Sequence, residues 1–490
     1  TYNSLDEITL DQLVFSGSVV GDSSDWFELP GGPVGFAAGA EYREETSDAR
    51  FGPWQRGVIP AGSPHPAGTL ISDVSDNGSL GFDPSIIIKN EYGEYDATDV
   101  FLEVSLPLLA NTPGFRELTL DVAGRASDYS TVGNTESWKL NLVWAPIEDI
   151  AFRGSLSQAV RAPNITELFG PEVGATARPT DPCDMGSLAD LTGADRDNTQ
   201  ANCVADFQSF GLDPFDADGN YVWTDPLSAR FSGVSSGNRD LVEETADTLT
   251  YGFVFQPSFL PGFSLTVDYW DVVIDDGISS VTVQDIANGC YQGASLNDAF
   301  CSLISRNTEL TSPQAGGFNG FRTTDINFAK IEADGIDLSA SYNFDIGAHG
   351  FRASLTATEM GKLDFYTNPL DLTEVNPELG EVQLPEHTGS VYLGWTWGDL
   401  SVNWQSQYFG EMLLGAVRVE VETYETLFGP SVLLDETWLH DVSARYTIND
   451  ELTIYGGINN ITQEKPFITE NAFPVTPRGR MIFLGGTYRL

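Results

Sequence analysis

Ser137-Trp138-Lys139-Leu140-Asn141-Leu142-Val143-Trp144 carries two different surfaces. In an extended strand successive side chains point to opposite sides, so Trp138, Leu140, Leu142 and Trp144 share one face while Lys139 and Asn141 share the other. A strand that is apolar outside, polar inside and tipped with aromatic rings suits a wall between lipid and water. The pattern recurs from Leu13-Val14-Phe15 to Phe483-Leu484-Gly485-Gly486-Thr487-Tyr488, each segment closed by Gly, Asn or Pro. Fifteen segments can be placed, at 10–20, 34–46, 96–107, 116–129, 136–146, 150–161, 244–256, 263–274, 324–344, 350–365, 388–398, 400–410, 436–447, 451–459 and 479–489. No apolar run reaches the about 18 residues that a membrane-crossing helix needs. The expected fold is all-β, an antiparallel transmembrane β-barrel with long extracellular loops.

The connections alternate in length. Residues 145–149, 257–262, 397–399 and 447–450 read as tight turns, whereas 47–94, 162–242, 275–323, 366–387, 411–434 and 461–478 are long. In an antiparallel meander all the long ones then lie on the same, external side. The loop 162–242 is the largest and is expected to form an external lid; between residues 170 and 240 it holds twelve acidic and four basic residues. In the loop 275–323, Val283 to Asn288 and Leu296 to Arg306 have helical spacing (Leu296, Phe300, Leu303, Ile304), which predicts short helices. Cys183 with Cys203, and Cys290 with Cys301, form two local pairs in these loops and read as disulfides of an oxidising compartment. Zinc is the competing reading, but there is no CxxC pair and no neighbouring His.

The formal net charge of -47, from 71 acidic and 24 basic residues, excludes nucleic acid as a partner, since phosphates need Lys and Arg clusters. It reads as a solvated acidic surface that attracts cations. Asp213, Asp216, Asp218, Asn220 and Asp225 form an acidic turn that resembles part of a calcium loop, although Pro214 stands where an EF-hand would have its first carboxylate. Calcium is therefore a candidate ligand and a solvated turn the alternative; no cofactor is required. Trp54, Tyr221 and Trp223 are candidate stacking residues for a sugar or a flat ligand, with packing between loops as the alternative. Arg161 stands where wall becomes loop and is expected to form a structural ion pair with Glu167 or Glu244. The four histidines, His65, His349, His387 and His440, are scattered and outside any HExxH setting, so the chain is read as no enzyme.

Several stretches stand in the order found in the TonB-dependent outer-membrane receptor family. Ser157-Gln158-Ala159-Val160-Arg161-Ala162-Pro163-Asn164-Ile165-Thr166-Glu167-Leu168-Phe169 resembles that family's "RAPxxxELF" strand end. Gly237-Asn238-Arg239-Asp240-Leu241-Val242-Glu243-Glu244 resembles its "GNPxLxPE" passage, followed by Val267-Asp268-Tyr269-Trp270. Asn327 to Asp337, Asn459-Asn460-Ile461-Thr462 and Pro477-Arg478-Gly479-Arg480 are similar to its later strands and turns. The chain's last residues, Tyr488-Arg489-Leu490, depart from the family's terminal Phe or Trp.

The resemblance spans 1–490 as the C-terminal part of a 22-stranded, plugged barrel. It implies that a plug and about seven further strands belong upstream of Thr1, in a removed segment or a separate N-terminal chain; the opening on Thr1 without a charged leader reads as a sequence whose export signal has been removed. It further implies the bacterial outer membrane, with lipid and lipopolysaccharide around the wall, and TonB-driven import of a small-molecule ligand such as a siderophore, cobalamin or oligosaccharide. The alternative is a plug-less barrel, structural, adhesive or a passive pore, in a larger outer-membrane assembly.

Overall fold

A computed structural model of the chain describes residues 5–74, 87–369, 371–417, 432–467 and 473–489, together with 423, 426, 427 and 429. Parts of the expected loops 47–94, 366–387, 411–434 and 461–478, and the terminal Leu490, lie outside the described residues.

All fifteen expected segments are strands, hydrogen-bonded in chain order into one antiparallel meander from Glu7–Asp22 to Met481–Tyr488. A two-residue strand, Asn376–Pro377, pairs beside His349–Tyr366. Strand Gly133–Ile147 shows how the alternation works. Leu140 stands between Val122 and Leu156, and Trp144 faces Phe152, so apolar rows run across neighbouring strands on one side. That side is bare: Trp138, Leu140 and Leu142 are each 41–45% exposed. On the other side Asp121 accepts hydrogen bonds from Ser105 Oγ (2.6 Å) and Asn141 Nδ2 (2.9 Å). Arg153 donates to Asp268 (2.8 Å) and Ser155 meets Thr250 (2.7 Å) on the same polar side. These cross-strand polar pairs line the lumen.

Several strands outrun their expected lengths. The segment expected at 96–107 is Glu91–Thr112, and that at 263–274 is Phe263–Ser280. The extensions, such as Glu91-Tyr92-Gly93-Glu94-Tyr95-Asp96, are polar on both faces. Hydrogen-bonded pairing continues there above the apolar band, where alternation no longer marks it.

The four expected tight turns, and the turn at 347–348, lie at one end, and beside them the rings form arcs on the outer face. Phe115, Trp144, Phe152 and Phe253 follow one another at 6.1, 5.5 and 6.5 Å between ring centroids. Phe263, Tyr342, Phe344 and Phe351 continue at 6.3, 4.7 and 5.1 Å. Aromatic girdles of this kind sit at the membrane–water boundary. Gly347 and Gly398 take φ of 63° and 53° in two of these turns, a conformation that a side chain would strain.

The two largest loops leave from the opposite end and carry helices of their own. In 162–242 these are α1 Ile165–Phe169, α2 Met185–Asp190 and α3 Gly193–Ser209. In 275–323, α4 Val283–Tyr291 contains the expected Val283 to Asn288. The helix expected from Leu296 to Arg306 is corrected: α5 covers Asp298–Cys301, and Ile304–Arg306 is a strand because Ile304 pairs with Phe321.

Candidate functional site

The Arg161 junction is a hub. Arg161 Nε donates to Glu244 on the neighbouring strand (2.5 Å), and its Nη1 donates to Glu167 (3.1 Å). Asn164 caps α1, accepting from the amides of Thr166 and Glu167 (2.9 Å each), while Glu167 accepts from the Asn164 amide (2.8 Å). This reciprocal capping box fixes where the strand stops and the helix begins. Leu168 is then buried with Tyr95, Ile165 and Leu241. Phe169 lies so close to Gly93 that a Cβ there would meet its ring at 2.2 Å. Arg239 lies over the Phe169 ring at 5.0 Å and pairs with Glu91 (2.6 Å).

Beyond the hub the two largest loops form one body. Its sheet runs in the order Ile304–Arg306, Phe318–Thr323, Phe231–Ser235, Val173–Ala177, so each loop supplies two strands. The central pair, Phe231–Ser235 with Phe318–Thr323, is parallel. Phe207, Phe231, Ile286, Tyr291, Phe318 and Phe321 fill a core around it. The disulfides Cys183–Cys203 and Cys290–Cys301 fasten one loop each.

At the centre lies Arg306, its side chain 3% exposed. It donates to both oxygens of Asp181 (2.6 and 2.9 Å), to the Gly316 carbonyl (2.7 Å) and to the Tyr291 hydroxyl (2.7 Å). Tyr291 in turn donates to Asp206 (2.5 Å). The guanidinium also lies 4.0 Å from the Phe318 ring centroid. Burial opposes its charge, but Asp181 and Tyr291 together hold its pKa above the ordinary value. Burial pushes the Tyr291 phenol up as well.

A third loop is tied to the body by Glu172, which pairs with Lys89 (2.5 Å) and Arg322 (2.8 Å). Hydrogen bonding from Lys89, and then from Arg322, holds the Glu172 carboxyl below its usual range.

The family description "TonB dependent receptor-like, beta-barrel" matches residues 2–461. The chain belongs to the TonB-dependent receptor family. It is an outer-membrane β-barrel protein. No curated protein matches it. Among solved structures, the siderophore receptor PirA from Acinetobacter baumannii is similar at 14% identity and a TM-score of 0.57, over 98% of this chain and 55% of that one. The ferric enterobactin receptor PfeA from Pseudomonas aeruginosa is similar at 17% identity and a TM-score of 0.56, over 98% and 54%. The FrpB iron transporter from Neisseria meningitidis is similar at 15% identity and a TM-score of 0.51, over 99% and 55%. At such identities the likeness is one of fold, and the chain spans about half the length of these proteins.

Within this TonB-dependent receptor barrel, Tyr221 and Trp223 are half-buried and packed against the loop body. The Tyr221 hydroxyl donates to the Cys183 carbonyl (2.7 Å), and Trp223 packs 4.7 Å from Phe207 and 5.5 Å from Arg306. Trp54 lies in a separate turn, half-buried, in the loop before Glu91–Thr112.

The acidic turn closes on itself. Asp216 accepts from the amides of Asp218 and Asn220 (2.9 Å each), and these bonds hold its carboxyl low. Asp213 accepts from Phe215 N, and Asp225 accepts from Leu227 N and faces Arg178 (3.5 Å). Burial raises the Asp225 pKa. Among the described residues, the one convergent trio of His, Cys, Asp or Glu ligand atoms is elsewhere, at Glu359, Glu386 and His387.

The string Gly233-Val234-Ser235-Ser236-Gly237 has the spacing of a nucleophile elbow. Its central serine, Ser235, ends a loop strand with no helix after it. Arg306, Asp181 and Glu172 were not singled out by sequence reasoning. The one signal for Arg306 was a basic residue in a loop whose only other one is Arg322.

Proposed function

We propose that this chain forms the wall and external lid of an active importer, which carries a scarce, bulky nutrient across the outer membrane with energy from the TonB complex. The observation that carries this reading is the family match over residues 2–461. In such a mechanism ligand binding at the loops and an upstream plug exposes a peptide to TonB, which pulls the plug open while the wall stays static.

Iron chelates are the first ligand class to test, because the solved relatives are named as siderophore receptors and iron transporters. Cobalamin and oligosaccharides follow. Arg178, Arg306 and Arg322 are each already paired with carboxylates, which favours a ligand without strong negative charge.

The test is accumulation of radiolabelled iron chelates by iron-limited cells expressing the full-length protein, with and without functional TonB. Accumulation that requires both is the expected result. Uptake that persists without TonB, together with dye leakage from liposomes holding the purified protein, would replace the importer by a passive pore.

A further inference from the structure

On the outer face, across strands Asp325–Ile346 to Thr437–Thr447, lies an open groove of about 350 Å³. Ile336, Leu355, Val391, Tyr408 and Trp438 line it, and Ala357 faces Gly389 across its floor, where the small residues leave the hollow. The row Ile336, Glu359, His387 runs across three strands on this side. The adjacent row faces the lumen, where Thr358 Oγ1 donates to Asp337 (2.6 Å). The groove therefore opens on the outer, lipid-facing side.

Two polar features lie on this apolar surface. Ser406, 1% exposed, lines the groove, and its Oγ has no hydrogen-bond partner. A buried hydroxyl in such surroundings is costly unless an occupant satisfies it. At the loop-side end, ligand atoms of Glu359, Glu386 and His387 lie within 4.8 Å of one another. Two carboxylates and an imidazole so spaced suit one divalent cation. The lysines further along these strands do not neutralise them, since Lys330 and Lys362 are both bound to Glu332 (2.7 and 3.0 Å).

We propose that this is a cation-bridged lipid site. Glu359, Glu386 and His387 hold a divalent cation that bridges to the phosphate of a membrane lipid. One acyl chain of that lipid lies in the groove, and an ester or hydroxyl oxygen of the lipid pairs with Ser406. The wall thereby recruits an anionic lipid to an acidic protein.

The purified full-length protein is mixed with phosphatidic acid, and bound lipids are counted by native mass spectrometry in calcium and in EDTA. Lipid retained in calcium and lost in EDTA is the expected result. Glu359→Gln with Glu386→Gln should weaken calcium-dependent retention at least about tenfold, since even lesser changes around metal sites cost that much. Ala357→Phe, which fills the groove and leaves the cation ligands intact, should also reduce it. Inorganic phosphate with calcium, lacking the chain, should not displace the lipid at equal concentration. Equal retention in EDTA, or unchanged retention in either variant, would overturn the proposal. Heat-resistant gel mobility confirms that the variants are folded, and none of these readouts depends on import.

Discussion

Leu140 in the wall is 41% exposed and Phe207 in the loop body is fully buried, yet each is a hydrophobic residue correctly placed. The wall has lipid for a neighbour, so it needs no apolar interior and is held by cross-strand pairing along the meander from Glu7–Asp22 to Met481–Tyr488. The loop body meets water and must exclude it, so it builds a core, adds two disulfides and seals a charge pair inside. One chain thus uses two kinds of stability, and a substitution in one region should leave the other standing.

The largest expected effect comes from Arg306→Met, which strands Asp181 as a buried unpaired carboxylate at a cost of roughly 3–5 kcal/mol. Proteolysis within 162–242 and 275–323 should accelerate while the wall keeps its heat-resistant gel mobility. Loss of both together would show a single cooperative unit and break the comparison.

Leu140→Arg tests the other side, placing charge against lipid at roughly 2–4 kcal/mol. It should lower the wall's unfolding midpoint in denaturant and leave loop proteolysis below that midpoint unchanged.

Replacing Cys290 and Cys301 by Ser opens a link with a sequence separation of 11 and should cost the loop body about 2–3 kcal/mol. The check is a lower loop melting temperature with no change in wall unfolding.

The smallest effect sharpens the boundary between loops. Glu172 has a folded pKa below its usual 4.5, so its contribution is present above that value and is lost as pH falls through the folded pKa. Acidification below about 4.5 should therefore raise hydrogen exchange in residues 87–90 and 170–177, where the loops are clamped. Glu172→Gln should remove this pH dependence at a neutral-pH cost of about 1 kcal/mol or less, given how exposed Lys89 and Arg322 are.

The wall was legible because period-two alternation is local: Trp138 to Trp144 state their face without reference to any partner. The loop body was not, because its strands span only three to six residues and pair with distant segments. Arg306 and Asp181 lie 125 residues apart, and nothing in either neighbourhood announces the other. Arg306 read as the end of a helix and Asp181 as one more solvated acid. The junction lay between these extremes: Arg161, Glu167 and Glu244 could be named from their place at a strand end, but the capping box that orients Glu167 emerged with the geometry. The packing of Tyr221 and Trp223 was hidden for the same reason as the loop strands, since an irregular segment carries no periodicity to say which ring turns inward.

The parallel pairing of Phe231–Ser235 with Phe318–Thr323 also sets an order of events. Between these segments the chain runs through Glu244–Phe255 and Phe263–Ser280. Bringing them together in a loose chain costs the entropy of closing a long loop, whereas a finished hairpin delivers their ends already side by side. Closing the outer body is thus least costly once Glu244–Phe255 and Phe263–Ser280 have paired beneath it.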